Sequence, residues 1–165
     1  MPISAKTIED RILAMTSELR GCGMRLTRQR LEIIREIAAT EEHPDVETIY
    51  GMVRRRVPAV SLDTVYRTLS VLHECGAVNR MMVATGSARY DPDISRHHHF
   101  VCIKCGAVVN VISSERDAFR SSDCASQVGV VERVEVYFRG TCKSCQASNC
   151  CQRDDLAVEK ERGRS

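Results

Sequence analysis

The chain has 165 residues, 43% of them hydrophobic and 28% charged, with a formal net charge of +2. That length holds one ordinary domain or two small ones with a real core, and it contains neither an apolar run long enough to span a bilayer nor a signal-peptide pattern after Met1-Pro2-Ile3-Ser4. The expected compartment is therefore the cytoplasm, a charge of +2 does not by itself imply nucleic-acid binding, and an aromatic fraction of 4% without Trp argues against stacking on single strands.

In chain order, Ile8, Ile12, Met15 and Leu19 recur at helical spacing, and Gly21-Cys22-Gly23 ends that segment. Arg20, Arg25, Arg28 and Arg30 follow one another with no acid between them. Thr27 is expected to cap a second helix that buries Leu31, Ile34 and Ile37. His43-Pro44-Asp45 breaks the chain. Asp45 can cap a third helix with Val46, Ile49, Tyr50 and Val53 on one face, and Pro58 closes it. That helix carries a second basic cluster, Arg54-Arg55-Arg56; either cluster alone reads as a solvated face. Ser61 caps a fourth helix, with Leu62, Val65, Leu69 and Leu72 turned inward and Gly76 at its C-terminal end. Val78 to Ala84 and Ala88 to Asp91 then flank Thr85-Gly86-Ser87 as a β-hairpin.

Helices followed by a hairpin make a winged helix-turn-helix, in which the helix from Leu62 to Glu74 is the one offered to the major groove. Its outward face carries Asp63, Thr64, Tyr66, Arg67 and Ser70. An Arg can contact guanine through two hydrogen bonds, a Tyr ring can pack on a thymine methyl, and a good bidentate pair discriminates bases by roughly 1–3 kcal/mol. Periodicity alone leaves an ordinary surface helix open as the alternative.

The second half changes character. Phe100 to Val101 and Ala107 to Ile112 are strand-like and flank Cys102-Ile103-Lys104-Cys105; Ser113 to Ser122 is a short polar helix candidate. Val128 to Phe138 is rich in Val and runs towards Cys142-Lys143-Ser144-Cys145. Two correctly spaced cysteine pairs in a reducing compartment read as a structural Zn(II) site, with all four thiolates pinning a small α/β unit. Thioredoxin-like chemistry at one pair lacks the strand-to-helix context it needs. The remaining cysteines, Cys22, Cys75, Cys124, Cys150 and Cys151, have no such spacing and read as small core or surface residues, with adjacent Cys150-Cys151 open to oxidation. In an extended segment His97 and His99 point to one face and His98 to the other, so two imidazoles form half of a metal site, with Asp91 and Asp93 nearby. The expected fold class is α+β: a winged-helix domain over residues 1–90, a small metal-binding α/β domain over 91–149, and a charged tail without packed structure over 150–165.

These residues also match a family. Gly23-Met24-Arg25-Leu26-Thr27-Arg28-Gln29-Arg30, then His43-Pro44, then Ser61-Leu62-Asp63-Thr64-Val65-Tyr66-Arg67-Thr68-Leu69, then Arg89-Tyr90-Asp91, then His97-His98-His99-Phe100-Val101-Cys102-Ile103-Lys104-Cys105-Gly106 resemble, in order, the motifs of the ferric uptake regulator family. The resemblance runs from about residue 20 to residue 145. It implies a homodimeric, metal-dependent transcription repressor that binds a palindromic double-stranded operator, not an enzyme and not a membrane protein, and it implies that the domain over 91–149 is also the dimerisation domain. Within the family, the peroxide-responsive branch is the nearest look-alike. By that resemblance His43, Asp91, His97 and His99 hold a regulatory Fe(II) or Mn(II), and peroxide releases the repressor by metal-catalysed oxidation of His43 or His97. Where that branch has an Asp, five residues after the second knuckle cysteine, this chain has Asn110, whose carbonyl can coordinate but brings no charge. The zinc-responsive branch usually adds a cysteine just upstream of the histidines, where this chain has Asp93-Ile94-Ser95-Arg96. An auxiliary metal site would use His98 with an acid such as Asp117 and a later histidine; none follows His99, so His98 reads as a surface residue. Arg25, Ser61, Thr64, Tyr66 and Arg67 are the expected DNA contacts. The alternatives are an iron- or manganese-responsive repressor that does not sense peroxide and, from another class, a zinc-supported metalloenzyme, for which no base motif is evident.

Overall fold

The structure is a computed structural model that describes residues 3–83, 87–95, 97–112, 128–130, 134 and 136–147. Four helices open it: α1 (Ala5–Gly21), α2 (Arg28–Ala38), α3 (Val46–Arg56) and α4 (Leu62–Glu74). Each begins at a side chain that accepts a hydrogen bond from an otherwise unpaired backbone N–H: Ser4 from Thr7, Thr27 from Arg30, Asp45 from Thr48 and Ser61 from Thr64. The caps expected at Thr27, Asp45 and Ser61 are all present. Met15, Leu19, Ile33, Ile34, Ile37, Ile49, Val53, Val65, Leu69, Leu72 and Tyr90 interlock as one buried core beneath these helices.

Two inward assignments are corrected. Ile33, not Leu31, joins Ile34 and Ile37 in the core of α2. Leu62 is 44% exposed, because the first residue of α4 lies beyond the reach of the core. Thr68 takes an inward position instead, its hydroxyl satisfied by donating to the Thr64 carbonyl at 2.7 Å.

The α4 helix turns through Gly76, at φ 72°, into a two-stranded antiparallel sheet of β1 (Asn79–Met82) and β2 (Ala88–Asp91). This is the expected wing; residues 84–86 of its turn lie outside the described residues. The second sheet has the order β4-β3-β5, built from β3 (His98–Cys102), β4 (Val108–Val111) and β5 (Tyr137–Gly140). In it β3 pairs antiparallel with β4 and parallel with β5, and a short helix α5 (Lys143–Ala147) follows. Strand alternation gives this sheet two unlike faces. His99, Val101, Val108, Asn110 and Tyr137 share one face by register, and His98, Phe100, Val109 and Phe138 share the other. Met81 and Val83 after the helical region pack with Val101 and Val108 in a second buried cluster, which seats the wing on the first face. The polar helix expected over Ser113 to Ser122 and the tail from Cys150 lie outside the described residues, as do Cys124 and Cys151.

One expectation about cysteine is overturned. Cys22 and Cys75 are joined in a disulfide across 53 residues, with Cα atoms 6.8 Å apart. Nothing in their spacing signals this; helix packing brings the C-terminal ends of α1 and α4 together.

Candidate metal centre

Three separate elements deliver the buried cluster. His43 sits in the loop between α2 and α3 with φ 50°, a left-handed conformation that a β-carbon-bearing residue rarely adopts. Pro44 follows it, and the Pro44 carbonyl accepts the Tyr90 N–H at 3.0 Å, which ties this loop to β2. Asp91 is the next residue along β2. His97 immediately precedes β3 and His99 is its second residue, and both face the same side as their alternation predicts. All four are almost fully buried.

Their donor atoms converge. Asp91 Oδ2 lies 2.7 Å from His97 Nε2, 3.1 Å from His99 Nε2 and 3.4 Å from His43 Nε2. His97 Nε2 and His99 Nε2 are 2.9 Å apart, and the four ligand atoms all lie within 4.8 Å of one another. His97 Nδ1 sits 2.9 Å from the Ser95 carbonyl; a proton on Nδ1 donated there leaves the Nε2 lone pair aimed into the cluster, the usual arrangement behind a metal-binding imidazole. Nδ1 of His43 and Nδ1 of His99 are buried with no hydrogen-bond partner among the described residues. Burial by itself pushes the Asp91 carboxyl upward, but the His43 and His99 imidazoles and the Asp93 N–H outweigh it and hold Asp91 far below the usual carboxylate range. An ionised carboxylate and three imidazole nitrogens facing one point form a mixed N,O donor set that suits a divalent first-row cation.

Asn110 is the register partner of His99, and its Oδ1 is buried without a hydrogen-bond partner among the described residues. Asp93 instead accepts the Ser95 N–H at 2.9 Å through its carboxylate and receives the Asn79 amide at its carbonyl. His98 is not the free surface residue expected: it is half-buried, its ring 6.4 Å from that of Phe138. Sequence reasoning passed over Tyr137, whose ring stacks on His99 at 5.6 Å between centroids; only the β3–β5 register reveals it.

The second cluster is Cys102, Cys105, Cys142 and Cys145, whose sulfurs also lie within 4.8 Å of one another. Cys105 Sγ and Cys142 Sγ are 3.8 Å apart, and four sulfurs sharing one tetrahedral zinc at about 2.3 Å would be separated by roughly that distance. Gly106, at φ 70°, turns the first knuckle, and the Cys142 N–H points at Cys102 Sγ across 3.3 Å. Burial opposes ionisation of Cys102, yet backbone N–H groups of Cys105, Cys142 and Lys104 bring its thiol down to about 6. Hydrogen bonding with Cys142 and Cys105 pushes Cys145 up to about 12. One thiol that ionises readily beside one that resists is what four crowded sulfurs do until a cation neutralises them together.

The exposed face of α4 carries Asp63, Tyr66 and Arg67. Arg67 Nε pairs with Asp63 at 3.0 Å along the helix, and Tyr66 is half-exposed. Ser61 and Thr64 are engaged with each other, hydroxyl to hydroxyl at 2.8 Å, at the start of the helix. Arg25 is exposed, and its carbonyl accepts from Arg30. Of the second basic cluster, Arg56 is tied to Glu36 at 2.9 Å and Arg54 lies over the Tyr50 ring.

A family model described as the Ferric uptake regulator family matches residues 21–138. The chain belongs to this family. Among curated relatives of this ferric uptake regulator family member, the peroxide-responsive repressor PerR of Staphylococcus aureus is 29% identical over 148 residues, covering 88% of this chain and 99% of that one. Of solved structures, the Helicobacter pylori ferric uptake regulator superposes with a TM-score of 0.73 at 19% identity, covering 91% of this chain and 99% of that one, a likeness of fold. The ferric uptake regulator of Pseudomonas aeruginosa, solved with manganese, gives a TM-score of 0.63 at 27% identity over 78% of this chain and 97% of that one. The winged-helix and α/β architecture expected from the motifs is thus the family's architecture, and no described helix is long and apolar enough to cross a membrane.

Proposed function

We propose that this chain is a cytoplasmic, homodimeric, metal-dependent transcription repressor that responds to peroxide, with a winged-helix domain over residues 1–90, a dimerisation domain over 91–149 and a tail over 150–165. The observation that carries this reading is the convergence of His43, from the helical region, with Asp91 at the end of the wing and His97 and His99 on the second sheet. A ligand binding all four favours whichever arrangement holds the helices fixed against the sheet, and it does so only by its differential affinity for that arrangement. Cys102, Cys105, Cys142 and Cys145 hold Zn(II) as the permanent brace, and His43, Asp91, His97 and His99 hold Fe(II) or Mn(II) as the regulator, with Asn110 Oδ1 as a neutral further donor. Ferrous iron held by His43, Asp91, His97 and His99 would supply one-electron chemistry towards hydrogen peroxide. Uptake of an oxygen atom is assigned to His43 or His97, and an imidazole so modified would no longer present the donor that joins helices to sheet.

The outer face of the second sheet suits a two-fold partner. Val109 is 53% and Phe138 43% exposed on it, apolar area that a second copy would cover. Two copies present two α4 helices, and two-fold symmetry matches them to a palindromic operator. Tyr66 and Arg67 read bases once Arg67 exchanges Asp63 for a base edge. Arg25 contacts phosphate or the minor groove, while Ser61 and Thr64 set the start of α4 and lie where a helix N-terminus meets the backbone.

Metal-resolved operator binding before and after peroxide, with mass spectrometry of the histidine peptides, tests this. The expected result is affinity that rises with Fe(II) or Mn(II), falls steeply with salt, and is lost in the Fe(II) form as His43 or His97 gains one oxygen atom. Retained DNA binding with both histidines unmodified removes peroxide sensing and leaves the second reading, a manganese- or iron-responsive repressor, which the neutral Asn110 favours. Arg67→Ala should relax base preference, whereas Arg25→Ala should weaken all sequences alike.

A further inference from the structure

Cys22 and Cys75 belong to neither ligand cluster. Cys22 caps the C-terminal end of α1 and Cys75 that of α4, and the disulfide joins the two helix ends. Each cysteine is followed by a glycine in the left-handed region, Gly23 at φ 73° and Gly76 at φ 72°. Both helices therefore stop sharply, with their last turns side by side. Cys22 is exposed and Cys75 half-buried, so a small thiol, disulfide or peroxide can reach the pair from solvent. The bridge also has something to act upon. Cys75 lines a cavity of 370 Å³ walled by Arg11, Met15 and Glu18 of α1 on one side and by Pro92 and Ile94 on the other. Pro92 directly follows Asp91, so this cavity separates α1 from the segment that connects wing to sheet. The span matched to the family model begins at residue 21, which leaves all of α1 but its last residue outside it.

We propose that Cys22 and Cys75 form a reversible dithiol–disulfide pair, a second oxidant-responsive site that sets how firmly α1 is held on the end of α4 and against the connecting segment. With an oxidised small-molecule disulfide, one thiolate attacks a sulfur and expels a thiol, and the second thiol then displaces the other half of the mixed disulfide. Two cysteine thiols lose two electrons and two protons, and the incoming disulfide leaves as two thiols. With hydrogen peroxide, one sulfur becomes a sulfenic acid with release of water, and the second thiol displaces its hydroxyl as a second water. In a glutathione-reduced compartment the resting form is the dithiol, in which α1 is retained by non-covalent packing, through buried Met15, Thr16 and Leu19, partly buried Ile8 and Ile12, and the Arg11 bond to the Ala38 carbonyl. Oxidation adds the covalent tie at the other side of α1 from its cap. The site works with or without the metal-dependent reading above.

The test uses the full chain loaded with Zn(II) and Mn(II), equilibrated in glutathione buffers from fully reduced to fully oxidised. Peptide mapping by mass spectrometry should find a Cys22–Cys75 linked pair that forms on oxidation, disappears with dithiothreitol, and leaves Cys102, Cys105, Cys142 and Cys145 bound to zinc. Amide hydrogen exchange over residues 5–21 should slow by about tenfold or more in the oxidised form. Cys22→Ser and Cys75→Ser should each exchange like reduced wild type in both buffers. Two results overturn the proposal: Cys22 and Cys75 that stay thiols or pair elsewhere in oxidising buffer, and linked cysteines with unchanged exchange in α1. Reduced wild-type protein provides the open form directly, so the comparison does not depend on either variant folding.

Discussion

Asn110 faces His99 across the β3–β4 ladder, and its buried carbonyl oxygen is left without a hydrogen bond among the described residues. A buried unpaired acceptor costs about 1–3 kcal/mol, so a cation that uses it recovers part of that cost. An aspartate there would put a carboxylate opposite His99, where a buried oxygen already lacks a hydrogen bond among the described residues. In Asn110→Asp the metal-free protein should therefore unfold at lower temperature, through the cost of burying a charged oxygen without a partner, and Mn(II) should restore the loss. Mn(II) affinity should rise by about tenfold, roughly 1.4 kcal/mol, read by isothermal titration calorimetry; unchanged affinity would place residue 110 outside the metal's reach. At this scale the sequence was informative where chemistry is local. His97 and His99 announce themselves by alternation, and His43 and Asp91 by motif. The left-handed backbone of His43 and the stacking of Tyr137 on His99 depend on strand register and loop path, which composition does not encode.

Elements were legible where a polar side chain begins a helix. Asp45 opens α3 two residues after His43, accepts the Thr48 N–H at 2.9 Å and pairs with Arg89 of β2 at 3.4 Å. One carboxylate thus terminates a helix and ties it to the strand that ends at Asp91. Asp45→Ala should cost about 1 kcal/mol from the lost cap, seen as a lowered Tm. Burial pushes this carboxyl up, but the Thr48 hydroxyl and N–H and the Arg89 charge outweigh it and hold it below its ordinary value. Its contribution is therefore complete above the unfolded value of about 3.9 and is lost as pH falls through the depressed folded value. The Tm gap between wild type and Asp45→Ala should accordingly be widest near neutrality and close on acidification below about pH 4. A gap that widens in acid would show that the cap does not act through its charge. The helix faces were less legible than their starts. Leu62 scores as apolar yet precedes the core, and Thr68 is buried because its hydroxyl bonds to its own helix, a compensation that periodicity does not count.

In the whole molecule, two clusters of ligand side chains do different mechanical work. The cysteine cluster ties the end of β3 to the start of α5, across the long connection between β4 and β5 that lies mostly outside the described residues. Structural zinc sites of this kind contribute apparent binding energies of about 10–16 kcal/mol in small peptides, comparable to the whole stability of a domain. Removing zinc with a chelator should therefore abolish the cooperative unfolding of the sheet and dissociate the proposed dimer on size-exclusion chromatography, and zinc should restore both only if the thiols remain reduced. The histidine cluster lies between units that, among the described residues, pack through a small buried apolar cluster, Met81 and Val83 against Val101 and Val108. A ligand that bridges the two units adds its own differential affinity to that apolar contact, which contributes about 25 cal/mol per Å² buried. The four donors come from the α2–α3 loop, β2 and the start of β3, so no single unit completes the site. Mn(II) added to the zinc-loaded protein should then reduce the radius of gyration measured by small-angle X-ray scattering and slow amide exchange at residues 40–45. Asp91→Asn should remove both responses while leaving the zinc-dependent unfolding transition intact, because it deletes the one anionic donor in the cluster without touching the cysteines. Compaction that persists in Asp91→Asn would mean that closure is driven from elsewhere, and the convergence of His43 on the sheet would then be packing rather than control.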